Sequence, residues 1–267
     1  MAKKHFAVLG DPISHSLSPK IHMAAYEYLG LDCSYGAIRV PAGELATFLE
    51  GEGSSFDGFS VTMPLKFEAA SIAGETNLFG TGACNTLVRT NTGFDGFNTD
   101  IAGIQFALAE CLAIRPESSA VLGSGATARS AVVALVQSGL RNINVYARDT
   151  QKATELHDLV LNGAAELTVA SIGEYKALEN VTVNTIPAGA ELTLHVDSQS
   201  DGWLLSANYA ENNDGLLGLF DSERCVTGKE MLIGQAIEQI RHFVGKDLDV
   251  NTLDVTELAA VMRRALS

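Results

Sequence analysis

A lysine two residues past a proline, at the end of an apolar strand, is the residue of this chain best suited to chemistry. In "SVTMPLKF" (60–67), the β-branched Val61 and Thr62 follow Phe59 as a strand should. Met63-Pro64 then stops the ladder, because proline has no N–H and biases its predecessor away from helix. Lys66 follows in an otherwise largely apolar stretch. Taken alone, it reads as a solvated surface lysine. Two more stretches carry polar groups at strand ends: "GACNTLV" (82–88) offers Asn85, and "GFNTDIAG" (96–103) offers Asp100 at a helix start. Each by itself reads equally as a turn or cap residue. In "GDPISHSLSPKIH" (10–22) the pair Ser18-Pro19 makes a helix start, with serine as N-cap and proline at N1. Ser16 and Ser18 would place hydroxyls beside that helix N-terminus, where a carboxylate can be held without an arginine.

A second chemistry is written in "VLGSGATARSAVVALVQSGL" (121–140), which opens with GxGxxA at Gly123, Gly125 and Ala128. The first glycine allows a tight strand-to-helix turn, the second lets backbone approach a pyrophosphate, and the small third residue lets helix and strand pack closely. The amides over Ser124, Ala126 and Thr127 then face the phosphates. The motif follows one strand, opens a helix and leads to a second strand ending about twenty residues on, the context that a dinucleotide site requires. At the end of that strand stands "ARDTQK". Arg148 and Lys152 favour the 2′-phosphate of NADP, Asp149 favours the free ribose of NAD, and Arg129 could add a positive group.

Alternating elements must carry these groups. Strands are expected over 5–10, 35–40, 58–62 and 85–90, with helices over 19–30, 43–50 and 66–74 between them. Ile21, Ala24, Ala25 and Tyr28 fall on one face of the first helix. A helix over about 100–112 leads to the linker-like "AIRPESS" (113–119). A second α/β series follows, with strands at 120–125, 143–148, 181–186, 203–208 and 225–228. Its helices are expected over 126–138 and 151–161, with two more at about 230–244 and 255–266. Alternation of this kind implies mostly parallel sheets covered on both sides.

The chain has 267 residues, 46% of them hydrophobic, and a net charge of −14. It can bury a large core in two domains, and the charge argues against nucleic acid or an anionic membrane as partner. No apolar run approaches the roughly 18 residues of a membrane span, and "MAKKHFAVLG" enters a strand without a signal-peptide core, so the cytoplasm is the expected location. Cys33, Cys84, Cys111 and Cys225 are scattered and read as reduced thiols; no histidine spacing suggests a metal.

Taken together, the motifs resemble those of the shikimate dehydrogenase family over essentially the full length of the chain. Gly10, Pro12, His15, Ser16, Ser18 and Pro19 match its opening motif, and Val61, Thr62, Pro64 and Lys66 match its valine-threonine-x-proline-x-lysine. Asn85-Thr86, Asn98-Thr99-Asp100 and "GKEMLIGQA", with Gln235 at the glutamine, complete the set. The chain departs from the family's pattern at Ser60, at "ARDT", and at "SANYAENNDGLL", which keeps Tyr209 but has Asn208 where aspartate is usual. The resemblance implies an α/β, two-domain enzyme: a substrate-binding domain over 1–101 plus about 232–267, and a Rossmann-type NADP-binding domain over 102–231. It implies NADP(H)-dependent, reversible reduction of 3-dehydroshikimate to shikimate by a monomer or homodimer. Ser16 and Ser18, helped by Tyr209, would hold the carboxylate; Thr62, Asn85 and Gln235 the ring hydroxyls; and Lys66 and Asp100 would flank the reacting oxygen. A quinate-handling or dual-specificity paralogue and a non-catalytic NADP-binding regulator are the alternatives.

Overall fold

The computed structural model describes residues 3–74, 76–160, 163–187, 199–208, 216–245 and 253–267. The chain divides into two compact units, Met1–Thr99 with Leu232–Ser267, and Asp100–Met231.

The first unit is built on a six-stranded sheet of β1 (Lys4–Gly10), β2 (Cys33–Arg39), β3 (Gly58–Val61), β4 (Thr76–Asn77), β5 (Thr86–Thr90) and β6 (Gly93–Phe97), in the order β2-β1-β3-β5-β6-β4. β1 runs parallel to both β2 and β3, through the crossover helices α1 (Ser18–Tyr28) and α2 (Leu45–Glu50). β5 is antiparallel to β3 and to β6. Thr90 pairs with Gly93 across Asn91-Thr92, and a connection that short can join only antiparallel neighbours. The sequence pattern did not reveal β6, whose "GFDGF" carries two glycines and little β-propensity. Phe59, Val61, Leu65, Ala69, Cys84 and Leu87 form the core under helix α3 (Lys66–Ile72).

On the other face, α1 buries Ile21, His22, Ala25 and Tyr26. The apolar spacing pointed instead to Ala24 and Tyr28, yet Tyr28 is 46% exposed. The helix is turned so that two aromatic rings one turn apart meet β2, with His22 stacked on Tyr35 at 4.0 Å. An imidazole face is apolar enough to join such a cluster. Helices α8 (Gly228–Val244) and α9 (Val255–Ala265) come from the C-terminal end of the chain. Phe243 of α8 stacks on Phe6 at 4.5 Å. It lies over Gly58, where a Cβ would come within 3.0 Å of its ring and 2.8 Å of the Leu87 carbonyl oxygen.

The second unit has a sheet of β7 (Ser118–Leu122), β8 (Asn142–Ala147), β9 (Glu166–Ser171), β10 (Val181–Asn184), β11 (Trp203–Ser206) and β12 (Cys225–Thr227), in the order β12-β11-β10-β7-β8-β9. Every pairing is parallel. Counted from β7, this is the doubly wound order 3-2-1-4-5-6, whose direction of winding reverses between the first and fourth strands. Residues of β7 alternate between two cores: Val121 packs among α4 (Asp100–Ala107) and α6 (Ala126–Gln137), whereas Ala120 and Leu122 face Tyr175, Leu204 and Phe220. The helix expected over 100–112 is interrupted at Leu108, leaving α5 (Ala109–Ala113) as a separate piece. β9, an edge strand, was not read from the sequence. Among the described residues no helix is long and apolar enough to cross a membrane, and none of the four cysteines is joined in a disulfide.

Phe243→Ala should destabilise the protein by about 3–5 kcal/mol, the usual cost of emptying a large buried aromatic site. Urea denaturation measures it, and a loss below about 1 kcal/mol would show that α8 is not held by this stack.

Candidate functional site

The topology of the first sheet gathers the polar residues at one edge. Parallel strands β1 and β3 both end there, so the loop with Ser16 and Ser18 and the turn with Thr62 and Lys66 leave from the same side. Because β5 is antiparallel to β3 and β6 to β5, Asn85 at the start of β5 and Asn98-Thr99 beyond β6 arrive there too. Asp100 is the next residue, the first of α4, and is 1% exposed. The two loops interlock: Asp11 N–H donates to the Met63 carbonyl at 3.0 Å, and Thr62 N–H to the Leu9 carbonyl at 2.9 Å. A side chain at Gly10 would collide with Thr62 Cγ2 and the Met63 carbonyl, so glycine is required by the close approach.

Lys66 is the first residue of α3 and half-buried. Its carbonyl accepts from Cys84 N–H at 2.9 Å, which pins the start of α3 beside Asn85. Asn85 is 1% exposed. Its Oδ1 accepts from Thr99 N–H at 2.8 Å, Thr99 Oγ1 at 3.1 Å and Thr86 Oγ1 at 2.9 Å. Asn98 Nδ2 donates to Thr81 Oγ1 at 2.9 Å, holding the segment before Asp100 from its other side.

The serine turn differs from expectation. The helix begins at Ser18, with Leu17 in the N-cap place and no side-chain capping bond. Leu17 already has helical backbone angles (φ −87, ψ −8), and its carbonyl accepts from Lys20 and Ile21. Ser18 is therefore not the cap. Ser16 Oγ instead accepts from Ser18 N–H at 3.3 Å, so the two serines share one turn. Gln235 is half-buried on α8. Tyr209 lies outside the described residues.

Sequence reasoning missed Gln239 and His22. Gln239 is 1% exposed, one turn beyond Gln235. Its Nε2 lies 3.4 Å from the Asn85 carbonyl and 3.3 Å from Thr86 Oγ1, and its Oε1 lies 3.2 Å from His22 Nε2. The signal was a lone amide in the apolar stripe Ala236, Ile237, Ile240, Phe243.

In the second unit Gly123 has φ +114, and a Cβ there would sit 2.6 Å from Thr185 Oγ1. Its N–H donates to the Tyr146 carbonyl at 2.8 Å. Gly125 occupies the N-cap place of α6, where a Cβ would meet no atom within 4 Å. Ala128 is fully buried, letting α6 lie close on the sheet. The start of α6 has neither a side-chain cap nor an acidic residue in its first turn among the described residues. The turn over Ser124, Ala126 and Thr127 thus offers unscreened N–H groups, and its open glycine floor fits a pyrophosphate.

The charged residues divide. Arg148 is exposed just past β8, and Lys152 is exposed in α7 (Thr150–Ala153). Asp149 Oδ1 accepts from Lys152 N–H at 2.9 Å as the N-cap of α7, which commits that carboxylate to the backbone. Arg129 lies 3.6 Å from Glu155, so its charge is already countered.

The substrate-side groups suit a small carboxylate with several hydroxyls, and the glycine turn suits a dinucleotide. Comparison with known proteins gives the same pairing. Residues 8–87 match the family model for the shikimate dehydrogenase substrate binding domain. A shikimate dehydrogenase (NADP(+)) of Nitrosopumilus maritimus is 30% identical, covering 94% of this chain and 96% of its own. The crystal structure of Mycobacterium tuberculosis shikimate dehydrogenase superposes with a TM-score of 0.80 at 33% identity, over 98% of this chain and 99% of that one. Quinate dehydrogenase from Corynebacterium glutamicum in complex with NAD gives 0.82 at 25% identity, over 98% and 99%. End-to-end likeness at this level makes the chain a member of the shikimate dehydrogenase family.

Proposed function

We propose that the chain catalyses the reversible, NADPH-dependent reduction of 3-dehydroshikimate to shikimate, in the cytoplasm, as a monomer or homodimer. The observation that carries this reading is the convergence of Ser16, Ser18, Thr62, Lys66 and Asn85 at one sheet edge of a chain whose full-length relatives are NADP-dependent shikimate dehydrogenases. NADPH, when bound, supplies the hydride. Lys66 stabilises the negative charge that develops on the ketone oxygen and donates the proton that makes it a hydroxyl. Asp100 orients that ammonium. Ser16 and Ser18 hold the carboxylate, with Tyr209 assigned to the same group by family resemblance. Thr62, Asn85 and Gln235 bind ring hydroxyls. Gly123, Ser124, Gly125, Ala126, Thr127 and Ala128 cradle the pyrophosphate, and Arg148 and Lys152 face the 2′-phosphate. Arg129 is a weaker candidate because Glu155 competes for it.

The likeness to a quinate dehydrogenase bound to NAD gives substance to a second reading, with quinate as substrate. The capping bond of Asp149 weighs against it on the cofactor side, since the acidic group that would read a free ribose is turned to Lys152 N–H. A non-catalytic regulator would have no use for a lysine and a carboxylate in these places. Steady-state rates followed by nicotinamide absorbance, with shikimate and quinate each against NADP+ and NAD+, test the proposal. Shikimate with NADP+ should give the highest kcat/KM; a higher value for quinate with NAD+ would establish the second reading.

Lys66→Ala should lower kcat by about 10²–10⁴-fold with little change in the KM for shikimate. Asp100→Ala should cost a similar factor, and the double variant no more than the larger single one. A double loss equal to the product of the singles would show that the two act independently.

Arg148→Ala should raise the KM for NADP+ by about 10–100-fold and leave NAD+ kinetics nearly unchanged, because one charge-assisted hydrogen bond is lost. Asp149→Ala should instead cost about 1 kcal/mol of stability through the lost cap, with cofactor preference unmoved. A large swing in that preference would show that Asp149 reads the ribose.

A further inference from the structure

The side chain of Asn85 is the end of a hydrogen-bond chain that begins at a buried histidine. Gln239 Nε2 faces the Asn85 carbonyl oxygen at 3.4 Å. A carbonyl only accepts, so this end of the Gln239 amide is its NH2, which also donates to Thr86 Oγ1 at 3.3 Å. Oε1 then faces His22 Nε2 at 3.2 Å, making Nε2 the protonated nitrogen of a neutral ring. Burial pushes His22 down to about 3, so the ring stays neutral across the working range. Its Nδ1 is buried without a hydrogen-bond partner among the described residues.

Thr86 has a single hydroxyl hydrogen. Because Gln239 donates to Thr86 Oγ1, that hydrogen is left for Asn85 Oδ1 at 2.9 Å or Thr99 Oγ1 at 3.4 Å, and the shorter contact to Asn85 takes it. Thr99 adds its N–H and its hydroxyl, so Oδ1 receives three donors. Whatever Asn85 presents to a ligand it presents through Nδ2, as a donor. If Gln239 were reversed, the Thr86 hydrogen would turn toward it and Asn85 would lose one of the bonds that fix its orientation.

We propose that Gln239, oriented by His22, is a positioning residue that directs the Thr86 hydroxyl onto Asn85 Oδ1 and so steadies an amide, already oriented by the Thr99 N–H, for recognition of an accepting oxygen of a substrate ring hydroxyl. This rests on the function proposed above and names how one of its contacts is made specific.

The test is kinetic, at a temperature where circular dichroism shows each variant folded. Gln239→Leu and Thr86→Val should each raise the KM for shikimate by about 3–10-fold, the size of one neutral hydrogen bond. kcat should stay within about twofold and the KM for NADP+ should not move. Thr86→Ser, which keeps the hydroxyl, should behave as wild type, and the double variant should be no worse than the more impaired single one. Should Gln239→Leu not fold, the two Thr86 variants decide alone. An unchanged shikimate KM in Thr86→Val, or equal rises in both KM values, would overturn the positioning role while leaving the enzyme's activity intact. A wild-type protein that fails to oxidise shikimate at all would instead remove the functional reading, and the positioning role with it.

Discussion

One oxygen atom, Oδ1 of Asn85, accepts from the strand that follows it and from the segment that leads into α4. A buried amide must satisfy its polar atoms, and in a low-dielectric interior each bond is worth more and each omission costs more. Meeting that requirement fixes the spacing between the start of β5 and Thr99, the residue before Asp100. A separate backbone bond holds the start of α3 alongside, because the residue before Asn85 donates its N–H to the Lys66 carbonyl. The residues proposed to move a proton are thus placed by backbone anchored on either side of Asn85, Asp100 through the Asn85 side chain's bonds to Thr99 and Lys66 through the Cys84 N–H. Pre-organisation of this kind is what catalysis by fixed dipoles needs, since the groups do not reorganise when charge develops.

The second unit is held by a different constraint. Its turn after β7 depends on a backbone angle and a close contact that only glycine at 123 meets, with Ala128 small enough for α6 to lie on the sheet. The winding of the sheet reverses between β7 and β10, and that turn stands at the carboxyl end of β7. A ligand site is expected at such a reversal in open parallel sheets. The charges proposed to set cofactor preference stand on exposed positions past β8, where the cap of α7 takes up the short side chain of Asp149.

Much of this was legible in the sequence because it is governed by local rules. Alternating apolar strands and amphipathic helices placed both α/β series, and the glycine spacing located the turn between β7 and α6. The strands missed were the two-residue β4, the glycine-containing β6, and β9, whose short alternating run lies at the sheet edge. Ser18 was misread as a cap because the serine-proline pair carries the usual signal, while the decisive fact is helical backbone at Leu17, whose carbonyl already accepts from Lys20 and Ile21. The roles of His22 and Gln239 were invisible for a related reason. Their partners lie far away in sequence, and a buried amide or imidazole looks like a surface residue until its neighbours are known.

The site is tested most directly by a crystal structure of the chain with shikimate bound. The carboxylate should lie against the Ser16 and Ser18 hydroxyls, the oxygen that is oxidised should face Lys66 Nζ, and a ring hydroxyl oxygen should stand about 3 Å from Asn85 Nδ2. A shikimate bound the other way round, with its carboxylate on Lys66 and its ring hydroxyls toward the serines, would contradict the assignment.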